Sequence, residues 1–303
     1  MKIVCLGGCG IQRPLMTEAA RDLVDVGVFR RIGFRRMPSA FTPRALIQLI
    51  DFCTGDLVIP SDIQRFCFIE PAQAPRGARA LEIKQADMAL VELVSPNEIL
   101  FRGYSLNPNY LIFEVARLRA RDPALAESVR RCLGAGLWRR NERVRAKEAL
   151  NLRENLAVEC PEDQLLLAVT EEARGVLFGE AEIEQVFRDV QHRLDMPVAL
   201  ALHFAHYMPD GRPVSWPPGF VDTVRSVSRR LGWPAFDPAP LVAAHGVEQA
   251  LELGGASQDL LIHYRPAFES VMGEALSHFI RVAARDADQR AKPSDRLESP
   301  LPA

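Results

Sequence analysis

Four residues near the start of the chain, Gly7-Gly8-Cys9-Gly10, combine a nucleophilic side chain with a glycine-rich turn. They follow an apolar run, Ile3 to Leu6, that is typical of a buried strand, and they precede a helical pattern. In a parallel sheet, ligands bind beyond the carboxyl ends of the strands, where helices present free N–H groups. We therefore expect Cys9 to have a lowered pKa and to suit attack on an acyl group. The backbone N–H groups of Cys9 and Gly10 would then hold the oxyanion.

Three interpretations of this turn remain open. A dinucleotide-binding turn requires G-x-G-x-x-G, and Arg13 stands where the third glycine should be. A structural turn with a buried thiol is the second interpretation, and a nucleophilic or ligand-contacting Cys9 is the third. In the third, Gly8 and Gln12 are candidate substrate contacts, and Arg13 is a candidate for binding an anion.

Acyl transfer through a nucleophile also needs a base and a group that orients it. His263 lies in a predicted loop before the last helix, with Asp259 four residues earlier and Tyr264 beside it. We expect His263 to act as base, Asp259 to orient it and Tyr264 to contact substrate. His203 and His206 lie at the end of a predicted strand, and His206 is the alternative base.

Alternating strand and helix patterns predict the elements that hold these residues, an α/β fold with a central parallel sheet. Helices are predicted after the glycine turn (with Pro14 in the opening turn), before Gly55, and around Phe268 to Ile280. The predicted strands are 2–6, 28–34, 86–94, 198–204 and 234–238.

The segment from 115 to 153 departs from this alternation and is predicted to be a helical insertion between the third and fourth strands. Its eleven basic and four acidic residues give a net charge of +7. It is either a solvated face of paired arginines or an anion-binding lid, with Arg139 and Arg140 as candidate anion contacts beside Trp138. We expect residues 1–284 to form a single domain and 285–303 to be a disordered tail.

Composition excludes several other classes of protein. The net charge of −2 gives no general attraction to nucleic acid, and no apolar run approaches the roughly 20 residues of a membrane span. The six cysteines form no C-x-x-C pair, so we expect no metal site and mostly buried thiols. The start of the chain lacks secretory-signal features, which favours a cytoplasmic location. A homo-oligomer is possible.

The glycine turn and the late Asp/His pair resemble the SGNH/GDSL hydrolase superfamily, with "GGC" at 7–9 standing where G-D-S would be. The stretches "VELVSPNEILFRGYSLN" and "RRLGWPAFDPAPLVAAHG" resemble bacterial SGNH-like proteins. The cysteine variant is similar to WcbI-type proteins of polysaccharide biosynthesis. The resemblance implies a flavodoxin-like three-layer sandwich and acyl-ester chemistry on a carbohydrate, by transfer or hydrolysis. Acetyl-coenzyme A or coenzyme A would serve a transferase, and hydrolysis would need no cofactor.

The sequence departs from the superfamily pattern at defined positions. Cysteine replaces serine, glycine replaces aspartate, and the late motif is D-x-x-x-H rather than D-x-x-H. No G-x-N-D block follows the third predicted strand, so Ser95, Asn97 and Asn107 are the candidates to supply its oxyanion donor. The competing hypothesis is a binding or assembly protein that retains the fold without the chemistry.

Overall fold

A computed structural model of the chain describes residues 1–32, 34, 37–67, 76–138, 141–155, 160–204, 206–208, 210–253 and 261–291. The strands are β1 Ile3–Leu6, β2 Met88–Glu92, β3 Asn97–Phe101, β4 Tyr104–Leu106, β5 Arg174–Leu177, β6 Val198–Ala201, β7 His206–Tyr207, β8 Pro213–Val214, β9 Ala235–Phe236, β10 Leu251–Leu253 and β11 Leu261–Tyr264. The helices are α1 Cys9–Leu15, α2 Glu18–Arg21, α3 Val28–Arg31, α4 Pro43–Thr54, α5 Ser61–Cys67, α6 Arg76–Lys84, α7 Pro108–Arg121, α8 Pro123–Leu133, α9 Glu142–Asn155, α10 Pro161–Glu172, α11 Glu180–Leu194, α12 Phe220–Leu231, α13 Ala239–His245, α14 Val247–Ala250 and α15 Pro266–Ala291.

The central sheet is parallel, in the order β1-β2-β6-β9. The register pairs Leu6 with Val91, and Glu92 with Ala201. The carboxyl ends of β1, β2 and β6 therefore lie side by side at one edge. The α/β class and the strands predicted at 2–6, 86–94, 198–204 and 234–238 are confirmed.

Helices cover both faces of this sheet because alternate strand residues point to opposite sides. Val4, Val91 and Leu200 pack into one apolar cluster with residues of α4, α11 and α12. Cys5, Leu90 and their neighbours pack into a second cluster with α1, α2 and α15. The result is three layers, with the sheet between two helical layers.

The strand predicted at 28–34 is wrong, because residues Val28–Arg31 form the short helix α3. Val28, Phe29 and Ile32 are buried while Arg30 and Arg31 are exposed. This i, i+1, i+4 spacing is helical and does not alternate as a strand does. On the edge of β1 that faces away from β2, the described residues form only the isolated bridges Lys2–Asp25 and Gly7–Ser39.

The first helix also differs from expectation, because it begins at Cys9 and Pro14 lies near its end. A separate helix, α2, follows after a turn. Proline removes a backbone donor and clashes with the preceding turn, so the helix stops soon after it. The helix ended by Gly55 is confirmed, and Gly55 takes the left-handed conformation that glycine permits (φ 88°).

The chain leaves the parallel sheet between β2 and β6, over a longer stretch than the predicted insertion at 115–153. Helices α7 to α10 form here, and a π-helical turn over Gly134–Trp138 separates α8 from α9. The small antiparallel sheet β4-β3-β5, which lies in the same part of the chain, is not foreseen by the sequence.

A second antiparallel sheet, β10-β11-β7-β8, packs against α13, α14 and the start of α15. Helix α15 continues to Ala291, so the first residues of the predicted tail are helical, and 292–303 lie outside the described residues. Within the described part of the chain, no helix is both long and apolar enough to cross a bilayer.

Candidate functional site

A buried glutamate links the carboxyl ends of three elements. Glu92, the last residue of β2, is 1 % exposed. Its Oε2 accepts a hydrogen bond from the Gly8 N–H at 2.7 Å, and its Oε1 lies 2.7 Å from Nδ1 of His203, just after β6. With an ionised Glu92 and a neutral His203, Nδ1 would carry the ring proton and Nε2 would be an acceptor. This is the arrangement of a base held by an orienting acid.

The glycines of the first turn leave room for this carboxylate. A Cβ on Gly7 would lie 2.6 Å from Cβ of Glu92. A Cβ on Gly10 would overlap with Oε1 of Glu92 and approach Nδ1 of His203 to 3.4 Å. The turn therefore consists of glycine because a buried acid packs directly against its backbone.

Cys9 is the exposed first residue of α1 and follows the N-cap residue Gly8. The expected lowering of its pKa is wrong. Although Cys9 keeps an exposed surface, partial removal of its thiol from water raises the pKa. The negative charge of Glu92 raises it further, against the lowering effects of the Cys9 backbone N–H and of Arg13. The resting side chain is therefore a neutral thiol that needs a base to become a nucleophile.

Cys9 and His203 line one small cavity of about 30 Å³. The full lining is Cys9, Gly10, Arg13, His203, Phe204, Tyr207, Leu251, His263, Tyr264 and Glu269. Within the described part of the chain, no hydrogen bond joins the Cys9 thiol to either imidazole. The cavity thus gathers a thiol, two imidazoles and two phenols at the sheet edge.

Arg13 connects this cavity to a wider groove. Its Nε lies 2.7 Å from Oε1 of Glu269 on α15, and the side chain also lines a groove of about 820 Å³ beside α1 and α3. Arg21 and Arg30 line the same groove, and neither forms an ion pair among the described residues. The groove thus offers guanidinium groups next to the cavity.

The predicted base His263 is an exposed residue of β11 and lies on the cavity wall. Its predicted partner Asp259 lies outside the described residues. His206 pairs with Val214 between β7 and β8 and does not line the cavity. Tyr264 does line it. His263 and Tyr264 thus line the same cavity as Cys9, but the histidine that contacts the buried acid Glu92 is His203.

Among the predicted polar contacts, Gln12 lines the wider groove but not the Cys9 cavity, and Ser95, Asn97 and Asn107 line neither. The hydrogen bonds of these residues support loops. The Gln12 amide donates to the carbonyl groups of Gly7 at 2.8 Å and Pro38 at 3.0 Å, which fixes the turn. Asn107 caps α7, and its amide donates to Ser39 O at 2.8 Å. Ser95 Oγ accepts from the N–H of the exposed Asn97 at 3.0 Å.

Arginines of the basic insertion mostly pair with nearby acids, which fits the solvated-face interpretation. The lining of the Cys9 cavity contains no residue of the insertion. Arg139 and Arg140 lie outside the described residues. The ion pairs among the described residues are Arg117–Glu114, Arg117–Asp163, Arg119–Glu127, Arg121–Asp163, Arg130–Glu127, Arg131–Glu148 and Arg153–Glu171.

A family model described as the TviD N-terminal domain matches residues 1–279. The chain belongs to the TviD N-terminal domain family. No curated protein and no solved structure matches the chain significantly. The family match spans every residue that lines the cavity of Cys9.

Sequence reasoning on this TviD N-terminal domain missed Glu92 and gave His203 no role. Glu92 is the acid at the end of "ADMALVE", a run predicted to be buried on both faces. A buried carboxylate is costly unless it is paired, so its position in an apolar strand is itself a signal. His203 lies just after β6, the strand that pairs with β2, and this is the place where a partner for Glu92 could be expected.

Proposed function

We propose that this TviD N-terminal domain performs acyl-ester chemistry on a carbohydrate, by transfer or hydrolysis, with Cys9 as nucleophile. The observation that supports this most strongly is the double role of Glu92, which holds the Gly8 N–H beside Cys9 and Nδ1 of His203. This one carboxylate fixes both the turn that carries the thiol and the imidazole that can accept its proton. His203 therefore replaces His263 as the proposed base, and Glu92 replaces Asp259.

The raised pKa of Cys9 decides how the nucleophile would be formed. A thiol that is neutral at rest attacks while its proton passes to Nε2 of His203, as in a serine-type mechanism. Glu92 stabilises the imidazolium that results. The first N–H groups of a helix have no intrahelical partner, so those of Cys9 and Gly10 serve the oxyanion. The Gly8 N–H is excluded because Glu92 already accepts it.

The carbohydrate part of the proposal rests on the family. The TviD N-terminal domain is associated with a Vi-antigen polysaccharide biosynthesis protein of acetyltransferase type. The shape of the site is compatible with such a substrate. A cavity of about 30 Å³ holds a group little larger than one water, whereas the adjoining groove of about 820 Å³ takes a bulkier portion of donor or acceptor.

The test compares p-nitrophenyl acetate hydrolysis and the acyl-enzyme mass of the wild type with those of Cys9→Ala, His203→Ala and His263→Ala. We expect Cys9→Ala to form no acyl-enzyme, His203→Ala to lose at least 100-fold in acylation rate, and His263→Ala to keep most of it. His192→Ala, which changes an exposed histidine of α11, is the matched control. A wild type that is never acylated at Cys9 would favour a binding or assembly protein.

Acetyl-coenzyme A is the donor we propose for a transferase. Arg13, Arg21 and Arg30 would bind its phosphates, because guanidinium groups pair with phosphate bidentately. Calorimetry with coenzyme A and acetyl-coenzyme A tests this directly, with Arg21→Ala and Arg30→Ala expected to weaken binding. An absence of heat with both ligands would exclude acetyl-coenzyme A as the donor and would favour hydrolysis over transfer.

A further inference from the structure

An ion pair joins α1 to α15 at the boundary between the Cys9 cavity and the wider groove. Nε of Arg13, on α1, lies 2.7 Å from Oε1 of Glu269, in the first turn of α15. Both side chains line the cavity of Cys9, and Arg13 also lines the groove of about 820 Å³. A ligand that reaches from the cavity into the groove therefore contacts Arg13.

Both members of this pair lie close enough to the thiol for their charges to act on it. Arg13 follows Cys9 by four residues, so the two side chains lie one turn apart on the same face of α1. Burial has the largest effect on the pKa of Cys9; among the charged side chains, Glu92 and Glu269 raise this pKa and Arg13 lowers it. The ion pair is therefore part of the surroundings of the proposed nucleophile.

The two members of the pair differ in their access to solvent. The Glu269 side chain is 12 % exposed, whereas the Arg13 side chain is 45 % exposed. The helices that carry them are in contact one turn further along α15, where a Cβ on Gly273 would overlap with the carbonyl oxygen of Pro14. This packing holds the carboxylate in the cavity wall, while nearly half of the Arg13 side chain stays accessible to a ligand.

The carboxylate of Glu269 neutralises a positive charge that an anionic ligand would use. Arg13, Arg21 and Arg30 all line the groove, and of these three only Arg13 forms an ion pair among the described residues. A guanidinium that already pairs with a carboxylate attracts a second anion less strongly than a free one, because the two anions repel each other.

We propose that Glu269 competes with the anionic group of the acyl donor for Arg13 and thereby sets how tightly the site holds its ligand. This role rests on the proposed function, in which Arg13 binds a donor phosphate. When the donor binds, its phosphate replaces the Glu269 carboxylate at the guanidinium. When the product leaves, the ion pair forms again, so the release of a multiply charged product costs less free energy.

Glu269→Gln tests this competition by isothermal titration calorimetry with inorganic pyrophosphate and with coenzyme A. The amide keeps the size of the side chain and removes its charge, which frees Arg13 for the ligand. We expect both ligands to bind about 5- to 10-fold more tightly, as for the loss of a partly exposed ion-pair partner. Arg13→Gln should weaken binding, and adding Glu269→Gln to it should bring little further change, because the two effects are coupled.

Glu274→Gln is the matched control, because Glu274 is an exposed acid of α15 that lines neither the cavity nor the groove. It should leave both affinities unchanged. A gain as large as that of Glu269→Gln would show a general effect of charge and would overturn the inference. Unchanged or weaker binding by Glu269→Gln also overturns it, since a damaged structure would weaken binding rather than tighten it.

The acylation assay separates this inference from the proposed function. Acylation of wild-type Cys9 together with unchanged binding by Glu269→Gln overturns the competition and leaves the proposed function standing. Tighter binding by Glu269→Gln without any acylation of Cys9 overturns the proposed function and leaves the competition for Arg13 standing.

Discussion

The substitution Glu92→Gln separates two roles of this buried acid, which are to hold the Gly8 N–H and to orient the His203 ring. The amide oxygen of glutamine can still accept the Gly8 N–H, which Glu92 binds at 2.7 Å. The amide NH₂ then faces Nδ1 of His203, and because it can only donate, it forces the ring proton onto Nε2. A base that is protonated at Nε2 cannot accept the Cys9 proton. Turnover should fall on the order of 10⁴-fold, as expected when a triad carboxylate becomes an amide.

The same variant should move the reactivity of Cys9 in the opposite direction. The negative charge of Glu92 helps to raise the pKa of Cys9, second only to burial. Removing the charge lowers that pKa, so iodoacetamide should alkylate Cys9 faster at neutral pH. Replacing two charge-assisted hydrogen bonds by neutral ones, partly offset by relief of a buried charge, should reduce the free energy of unfolding by about 1–3 kcal/mol.

The assay pairs initial rates of p-nitrophenyl acetate hydrolysis with alkylation rates measured across pH by mass spectrometry. Glu98→Gln is the control, because Glu98 is also a buried acceptor of several hydrogen bonds but does not line the cavity. Wild-type turnover in Glu92→Gln, or an unchanged alkylation profile for Cys9, would refute the reasoning.

Three further predictions follow from the same contacts. Alkylation of wild-type Cys9 should increase with pH well above neutral, because its pKa is raised; an inflection below pH 7 in a mass-spectrometric rate profile would contradict this. Gln12→Ala should lower the free energy of unfolding in urea by about 1–3 kcal/mol, because two carbonyl groups lose their donor; an unchanged unfolding midpoint would argue against this. Burial raises the pKa of Glu98, so the folded chain holds this proton to a higher pH than the unfolded chain and loses stability as pH rises through that window. Glu98→Gln should flatten this fall in urea titrations from about pH 4 upwards, and a slope equal to that of the wild type would refute it.

Local sequence patterns were sufficient to predict most strands of the central parallel sheet. The parallel strands at 3–6, 88–92 and 198–201 could be recognised as short, mostly apolar runs, because a strand that is buried on both faces does not alternate apolar and polar residues. The strand prediction at 28–34 was wrong because a short apolar stretch fits both the strand and the helix period. Its buried residues have the i, i+1, i+4 spacing of a helix, and the segment begins with the short helix α3.

What the sequence determined by itself was the edge of the sheet at which chemistry could occur. The glycine turn with Cys9 follows β1 directly, and a parallel strand order brings the other carboxyl ends to the same edge. The tertiary structure decided which residues meet there. Glu92 and His203 are 111 positions apart, and only the pairing of β2 with β6 places the carboxylate against the imidazole. It also decided the ionisation of Cys9, because burial and a neighbouring charge outweighed the effect of its place at a helix start.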